Sequence, residues 1–301
     1  TTDSSRLPRP PADLLNVDLE SLRYRYLRRC VVPALSVMPF RWVQSLACIM
    51  ARGVHSMNTP GRRRAEERIA RLGDVLHIPR VQLVEQMYEH MGRFWSEAIH
   101  VRKRLRESTW RRHVSVMNEA EFESLRTGCI VATSCHGNPA ACAIALGHLF
   151  RPIHVLVDSS MHPVLGAWQR EMLSIPNVQV IEKRESARLI PKVLADGGTV
   201  MMLSDSPRGR GKCVPMSFLG SPFRCQPTLG RLAKWFNVPI GVVTCLRSEM
   251  PFSFKLHLHE TIRAGRDDTS DDLTRRAMST IERAILEEPA QYLWSLSSGD
   301  E

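Results

Sequence analysis

The chain has 301 residues, of which 43% are hydrophobic and 24% charged, and its formal net charge is +10. These values are typical of a globular protein that can bury a sizeable core without help from disulfides. The eight cysteines have no C-x-x-C spacing, which argues against a disulfide framework and predicts buried, reduced thiols in a cytoplasmic environment.

The positive charge is concentrated in the first part of the chain. Residues 1–120 hold 21 Lys and Arg against 12 Asp and Glu, a balance of +9, whereas residues 121–301 hold 20 against 19, a balance of +1. Of those 21 cations, 20 are arginines, which pair well with phosphates. Nucleic acid, an anionic membrane surface and a solvated helical surface without a partner all fit this pattern. Because no nucleic-acid-binding motif is visible, we expect no nucleic-acid partner.

The N-terminal part divides into an arm and a helical region. Residues 1–20 are polar and proline-rich, without a signal-peptide pattern, and are expected to form a flexible arm. Residues 21–115 are expected to form a helical, basic, membrane-facing region. Its apolar runs, Val31–Phe40 and Trp42–Ala51, are separated by Arg41 and are too short to span a membrane, which takes roughly 18 or more residues. They fit a segment lying in a membrane interface and, equally well, a buried hairpin of two helices.

Residues 116–301 are expected to form one integrated α/β domain. Strand patterns alternate with helical patterns, which predicts a mainly parallel central sheet flanked by helices, preceded by the helical N-terminal region. The predicted strands are Cys129–Ser134, Ile153–Val157, Val178–Ile181, Thr199–Leu203, Ile240–Leu246 and Phe252–His259. The predicted helices are Asn118–Leu125, Ala140–Phe150, His162–Ser174, Ser186–Ala195, the segment from Gln226 to Phe236, and Asp271–Glu288.

A histidine follows the first core strand at the turn into a helix. Asn138 is a good N-cap and Pro139 a good first helical residue. In open α/β sheets, chemistry gathers at the carboxyl ends of the strands, so His136 lies where a catalytic base would lie. The alternative is a structural histidine that bonds a nearby carbonyl.

A second candidate segment follows the strand that ends at Leu203. It places Asp205 at the strand end, followed by Arg208, Arg210 and Lys212 on a glycine-rich loop. The carboxylate could orient an imidazole or contact an acceptor, and the cations could hold a phosphate. The alternative is a flexible solvated loop in which Asp205 caps a turn. The loop lacks the spacing of a nucleotide-binding P-loop.

Three stretches, in this order, resemble one protein family. The first, His136-Gly137-Asn138, is similar to a His-x-Gly-Asn-x-acid motif. The second joins Leu203–Asp205 to Val214–Gly220, which resembles an Asp-containing strand end followed by a "V-P-F-F-G" block. The third, Ile281–Trp294, is similar to a closing "I-E … P-x-Q-x-L-W" signature. The family is that of the bacterial late acyltransferases of lipid A biosynthesis, within the lysophospholipid acyltransferase superfamily. The resemblance is clearest over residues 125–297.

The resemblance implies transfer of a fatty acyl group from an acyl carrier protein or coenzyme A thioester to a hydroxyl or amine of a lipid or glycolipid acceptor. It implies His136 as general base, a motif acid that orients this histidine, and no cofactor or metal. Backbone N–H groups near the helix start could stabilise the oxyanion. It further implies a cytoplasmic protein, or a peripheral one on the cytoplasmic face of the inner membrane. We assign substrate binding to Asn138, Asp158, Arg208, Arg210 and Lys212.

The sequence departs from the family motif at its acid. The family has Asp or Glu five residues after the histidine, where this chain has Ala141. If Gly137-Asn138 is aligned instead, the motif histidine falls on Cys135 and the acid on Ala140, so that the acid is missing in either alignment.

Three explanations are open for the missing acid. Another carboxylate could reach His136, with Asp205 the first candidate and Asp158 the next. The chain could instead be a catalytically impaired relative that retains lipid binding or a regulatory role. Finally, Cys135 could act as a nucleophile beside His136, although adjacent strand residues point to opposite faces. We favour the substitute carboxylate.

Overall fold

The central feature of the fold is a seven-stranded sheet between layers of helices. The computed structural model describes residues 27–57, 59–150, 152–158, 163–205 and 213–295. Over these residues it confirms the predicted α/β class, with a mainly parallel sheet that follows a helical N-terminal region. The expected flexible arm, residues 1–20, and the predicted site residues Arg208, Arg210 and Lys212 lie outside the described residues.

The helical region consists of four α-helices after a short π-helical turn at Leu27–Val31. These are α1 (Val32–Val37), α2 (Phe40–Ser56), α3 (Pro60–Arg71) and α4 (Arg80–Arg104). The last turn of α4 carries Arg102, Lys103 and Arg104, whose charges complement the negative end of the helix dipole.

The rest of the described chain alternates strands with helices. The strands are β1 (Val114–Met117), β2 (Ile130–Thr133), β3 (Ile153–Val157), β4 (Val178–Glu182), β5 (Thr199–Leu203), β6 (Val214–Phe218), β7 (Ser221–Cys225), β8 (Ile240–Arg247) and β9 (Phe254–Ile262). The helices are α5 (Pro139–Phe150), α6 (Pro163–Leu173), α7 (Ser186–Ala195), α8 (Thr228–Phe236) and α9 (Ser270–Glu287). A capping box of Thr269 and Asp272 begins α9.

The strand order of the large sheet is β1-β9-β8-β2-β5-β3-β4. All neighbours are parallel except β8 and β9, and β6 and β7 form a separate antiparallel hairpin. The sequence predicted β2, β3, β4, β5, β8 and β9, but missed β1, β6 and β7. β1 is only four residues long at the edge of the sheet. β6 lies in Val214–Gly220, which the sequence analysis interprets as a motif block, and β7 follows directly after that block.

The core lies on both faces of this sheet, because successive strand residues point to opposite sides. In β2, Ile130 and Ala132 belong to the apolar cluster that also contains buried residues of α3, α4, α8 and α9. Val131 belongs to the cluster on the other face, with the buried residues of α5. β2 is therefore buried on both sides, and its carboxyl end opens at the centre of the sheet.

Helix α2 packs on α4 with one face and leaves the other exposed. Its buried residues are Phe40, Val43 and Ala51. The contact is close at Gly92 of α4, where an added Cβ would lie 2.8 Å from the carbonyl oxygen of Ala47. Among the described residues, none of the helices combines the length and the hydrophobicity of a membrane-spanning segment.

Candidate active site

The turn after β2 is a close backbone junction with the end of β8. Gly137 has a φ of 66°, and an added Cβ would lie 2.3 Å from the carbonyl oxygen of Cys245, so only glycine fits here. Asn138 is the N-cap of α5 as predicted, because its Oδ1 accepts a 2.9 Å hydrogen bond from the Ala141 N–H. The N–H groups of Gly137 and Asn138 donate to the carbonyls of Gln291 and Cys245. These donors are occupied, which argues against the expected role for them in stabilising an oxyanion.

The segment after α9 returns to this turn and runs beside it. Its Leu293 N–H donates to the Cys135 carbonyl over 3.1 Å, and residues His136 and Tyr292 form an isolated antiparallel bridge. The indole N–H of Trp294 donates to the Pro289 carbonyl over 2.8 Å. The closing sequence motif therefore forms one wall of the site.

His136 is 1% exposed and has one hydrogen-bonded ring nitrogen. Its Nε2 lies 2.9 Å from the carbonyl oxygen of Glu288, which can only accept, so we assign the proton to Nε2. The Nδ1 atom is buried and has no hydrogen-bond partner in the described part of the chain. Burial lowers the pKa of His136 to about 4, and the positive charge of Arg247 acts in the same direction. The imidazole is thus neutral at pH 7, with an unused lone pair on Nδ1.

A buried ion pair supports the turn from the side of α4. The Nε of Arg247 donates to both carboxylate oxygens of Glu97, at 2.8 and 3.0 Å, and the two side chains are 4% and 2% exposed. Glu97 also accepts from Asn138 Nδ2 at 2.7 Å, and Arg247 Nη1 donates to the Gly137 carbonyl at 3.0 Å. The predicted substrate-binding residue Asn138 therefore has its side chain engaged within the protein.

Gln291 connects the returning segment to the same arginine. Its Oε1 accepts from the Arg247 N–H at 2.8 Å, and its Nε2 donates to the Arg247 carbonyl at 3.0 Å. The Gln291 N–H donates to the Glu288 carbonyl at 3.2 Å. Gln291 thus fixes the position of the oxygen that holds the imidazole of His136.

Asp205 lies at the end of the neighbouring strand β5 and is 2% exposed. Its Oδ2 accepts a 2.8 Å hydrogen bond from the N–H of Cys135, next to the histidine, rather than from the imidazole. Burial raises the pKa of Asp205 to about 6, opposed by the hydrogen bond from Cys135, the Tyr292 phenol and the Arg68 guanidinium. The structure therefore brings Asp205 to the turn, but its hydrogen bond goes to the backbone.

The other predicted residues lie in different surroundings. Asp158 follows β3, which β5 separates from β2, and its carboxylate accepts from Lys183 at 2.7 Å. Ala141 is fully buried in the apolar cluster of α5. Burial raises the pKa of the Cys135 thiol well above its usual range, and Asp205 raises it further, so this thiol is a poor nucleophile at pH 7.

Several buried polar atoms around the end of β2 lack partners among the described residues: Ser134 Oγ, His136 Nδ1, Asp205 Oδ1 and Arg247 Nη2. Most buried polar atoms in folded proteins are hydrogen-bonded, so such a concentration marks a candidate site for chemistry. Within the described ranges, no group of three or more His, Cys, Asp or Glu side chains could hold a metal ion.

Sequence reasoning missed two side chains and one backbone group of this site. Glu97 lies in a long amphipathic helix, where a single glutamate gives no sign of burial. Arg247 follows the predicted strand and had no motif to mark it. The Glu288 carbonyl could not be found from side-chain patterns, although the glutamine in the closing motif, Gln291, indicated that this segment was constrained.

A comparison with protein families places most of the chain within a family model. The family model described as bacterial lipid A biosynthesis acyltransferase matches residues 16–297, nearly the whole sequence. A comparison with curated proteins finds no match to the chain. The family match covers both the helical region and the sheet, including every residue of the candidate site.

Proposed function

The chain belongs to the bacterial lipid A biosynthesis acyltransferase family, and we propose that it uses His136 to transfer a fatty acyl group from a thioester to a lipid acceptor. The observation that carries the proposal is the state of the imidazole. Its Nε2 is held by the Glu288 carbonyl, and its Nδ1 is left without a partner among the described residues. A neutral imidazole with one held and one open nitrogen has the tautomer that a general base needs.

In this mechanism the acceptor hydroxyl or amine gives its proton to Nδ1 of His136 as its oxygen or nitrogen attacks the thioester carbonyl. The tetrahedral intermediate then collapses, the carbon–sulfur bond breaks, and the imidazolium returns the proton to the departing thiolate. Arg247 supplies positive charge for the oxyanion, since its Nη2 has no partner within the described residues. The donor is an acyl carrier protein or coenzyme A thioester.

The Glu288 carbonyl takes the orienting role of the missing acid in this proposal. A carbonyl fixes the tautomer as a carboxylate does, but it stabilises the imidazolium less, so we expect a weak base and slow turnover. Asp205 supports the turn through Cys135. Asp158, Arg208, Arg210 and Lys212 remain candidates for binding the substrates.

The test is thioester cleavage coupled to acylation of a lipid mixture. Purified protein is given long-chain acyl-coenzyme A or acyl carrier protein with a bacterial lipid extract, and free thiol and acylated lipid are measured. His136→Ala is expected to lower the rate by roughly 10²–10⁴-fold. The control is His154→Ala, in which another histidine with a ring nitrogen near a backbone carbonyl is removed from β3. Equal rates for the wild type and His136→Ala would reject His136 as the base.

The Asp205→Asn variant separates the two candidate orienting groups. If the Glu288 carbonyl orients the imidazole, activity stays within about tenfold, because the amide can still accept from the Cys135 N–H. A loss as large as that of His136→Ala would instead assign the orienting role to Asp205.

A second candidate function is a non-catalytic lipid-binding or regulatory relative. The observations that favour it are the fully buried Ala141 at the position of the motif acid and the 1% exposure of His136. The acceptor can reach Nδ1 only if neighbouring side chains move. The absence of turnover with every donor, together with lipid binding that is equal in the wild type and His136→Ala, would establish this function.

A further inference from the structure

The proposed acyl transfer produces an oxyanion, and the turn after β2 has few donors left for it. The N–H groups of Gly137 and Asn138 already donate to backbone carbonyls. The Nη2 atom of Arg247 is buried and has no partner among the described residues, so it is open to a ligand oxygen. Sites that stabilise a tetrahedral oxyanion use several preorganised donors. We therefore expect a second open donor beside Arg247.

His90 on α4 has an open ring nitrogen on the same side of the site. Its Nδ1 is buried and has no hydrogen-bond partner within the described ranges. His90 precedes Glu97 by seven residues, which places both side chains on one face of the helix, two turns apart. Glu97 holds Arg247 at 2.8 Å, and α4 also packs against the turn Pro289–Gln291. The helix thus brings His90 to the side of the site where Arg247 lies.

The electrostatics of His90 agree with this position. Burial lowers its pKa to about 3, and the positive charges of Arg247, Arg93 and protonated His136 act in the same direction. Because a charge shifts a pKa only from a nearby position, Arg247 and His136 lie close to this ring. The imidazole is neutral at pH 7, and a neutral imidazole can polarise a carbonyl oxygen by donating its N–H.

Two hydroxyl groups without partners in the described part of the chain fit this role less well. Burial raises the pKa of the Tyr292 phenol well above its usual range, and the charge of Asp205 raises it further, so that this phenol lies on the Asp205 side. The hydroxyl of Ser134 belongs to a residue that is 0% exposed. His90 is only half-buried, so a substrate can approach it from solvent.

We propose that His90 Nδ1 and Arg247 Nη2 together bind the thioester carbonyl oxygen and stabilise the oxyanion formed from it. This inference rests on the acyl transfer proposed above. As the acceptor attacks the carbonyl carbon, an electron pair moves onto the oxygen, and both N–H groups donate to it. The pair returns when the carbon–sulfur bond breaks. An oxygen bound between the two nitrogens selects the imidazole tautomer with its proton on Nδ1.

The first test compares two replacements of His90 in the thioester assay. His90→Phe keeps a ring but removes the N–H, and kcat is expected to fall by about 10²–10³-fold with little change in KM. His90→Asn has an amide N–H near the position of Nδ1 and should stay within about tenfold of the wild type. The control is His55→Phe, another half-buried histidine with an unpartnered ring nitrogen, which packs on Tyr88 of α4. Equal kcat in the wild type and His90→Phe would overturn the proposal and leave His136 as the base.

A second test needs no turnover. It measures the binding of two acyl-pantetheine analogues, because both kinds of donor carry the pantetheine arm. One is a difluoroketone, whose hydrated carbonyl mimics the tetrahedral intermediate, and the other is the thioether without the oxygen. The wild type is expected to bind the difluoroketone about 10²-fold more tightly or better. His90→Phe should lose tenfold or more of this preference and bind the thioether unchanged, which also shows that it is folded. An unchanged preference in His90→Phe would overturn the proposal.

The tautomer gives a third readout that a purely structural histidine would not show. With the difluoroketone bound, ¹⁵N NMR is expected to find the proton of the His90 ring on Nδ1, with the signal assigned by its loss in His90→Asn. A proton that stays on Nε2 would reject the donor role. A preference for the difluoroketone that depends on His90, in a protein that turns over no thioester, would keep this site and reject the acyl transfer.

Discussion

Two buried polar systems meet at the end of β2, and they differ in how completely they are satisfied. On the α4 side, the carboxylate of Glu97 is satisfied by hydrogen bonds from Arg247 and Asn138, and Arg247 Nη2 is the one atom of this group without a partner among the described residues. On the other side, His136 and Asp205 each use one polar atom and have a second one without a partner among the described residues. A hydrogen-bonded buried network stabilises the fold. Buried polar atoms without partners lower the stability, and proteins keep such atoms mainly where they take part in chemistry.

Breaking the satisfied system is expected to have the largest effect on stability. Glu97→Ala leaves the Arg247 guanidinium buried without its counterion, which should lower the free energy of unfolding by about 3–5 kcal/mol. Urea unfolding measures this change. The control on the same helix is Glu89→Ala, whose half-exposed pair with Arg93 is screened by solvent, so that the expected loss is within about 0.5 kcal/mol.

A double variant separates the ion pair from simple packing. Glu97→Leu combined with Arg247→Leu removes both charges and should recover most of the stability that Glu97→Ala loses. If the double variant is as unstable as the single one, the polar contacts to Asn138 and Gly137 matter more than the charge pair.

The two groups of the unsatisfied system, Asp205 and His136, are expected to make the stability depend on pH in opposite directions. The pKa of Asp205 is raised from 3.8 to about 6, so its contribution to stability is present below pH 4 and lost as pH rises through 6. The pKa of His136 is lowered from 6.5 to about 4, so its contribution is present above pH 6.5 and lost as pH falls through 4. In the wild type the two dependences largely cancel.

Single variants should expose each dependence. As pH rises from 4 to 7, the free energy of unfolding of Asp205→Asn is expected to increase by up to about 3 kcal/mol relative to that of the wild type. Over the same pH range, the free energy of unfolding of His136→Ala is expected to decrease by up to about 3 kcal/mol relative to that of the wild type. Urea unfolding at a series of pH values measures both. Relative stabilities that move in the same direction in the two variants would contradict the assigned protonation states.

The smallest predicted effect concerns the connection between the two systems. Gln291→Ala removes both hydrogen bonds to the backbone of Arg247, which should cost about 1–3 kcal/mol of stability. The backbone N–H of residue 291 still donates to the Glu288 carbonyl in this variant, but the segment that carries this carbonyl is no longer tied to Arg247, so we expect acyl transfer to fall by about tenfold. The exposed Gln179→Ala is the control, with no change expected in either quantity. A loss of stability with full activity would make Gln291 purely structural.

The sequence predicted those structural features that a few neighbouring residues determine by themselves. The capping of α5 by Asn138 and the buried strand β2 were read correctly, since an N-cap and an apolar run are short-range features. The short edge strand β1 was missed, because four residues with one buried side chain give too little periodicity.

The sequence by itself determined the α/β class, the family and the position of His136 at a strand end, because hydrophobic periodicity and motif order are written along the chain. Only the tertiary structure decided what holds the imidazole. The oxygen belongs to the backbone of Glu288, 152 residues further along the chain. Backbone carbonyls are identical at every residue, so only the path of the folded chain determines which one meets the histidine.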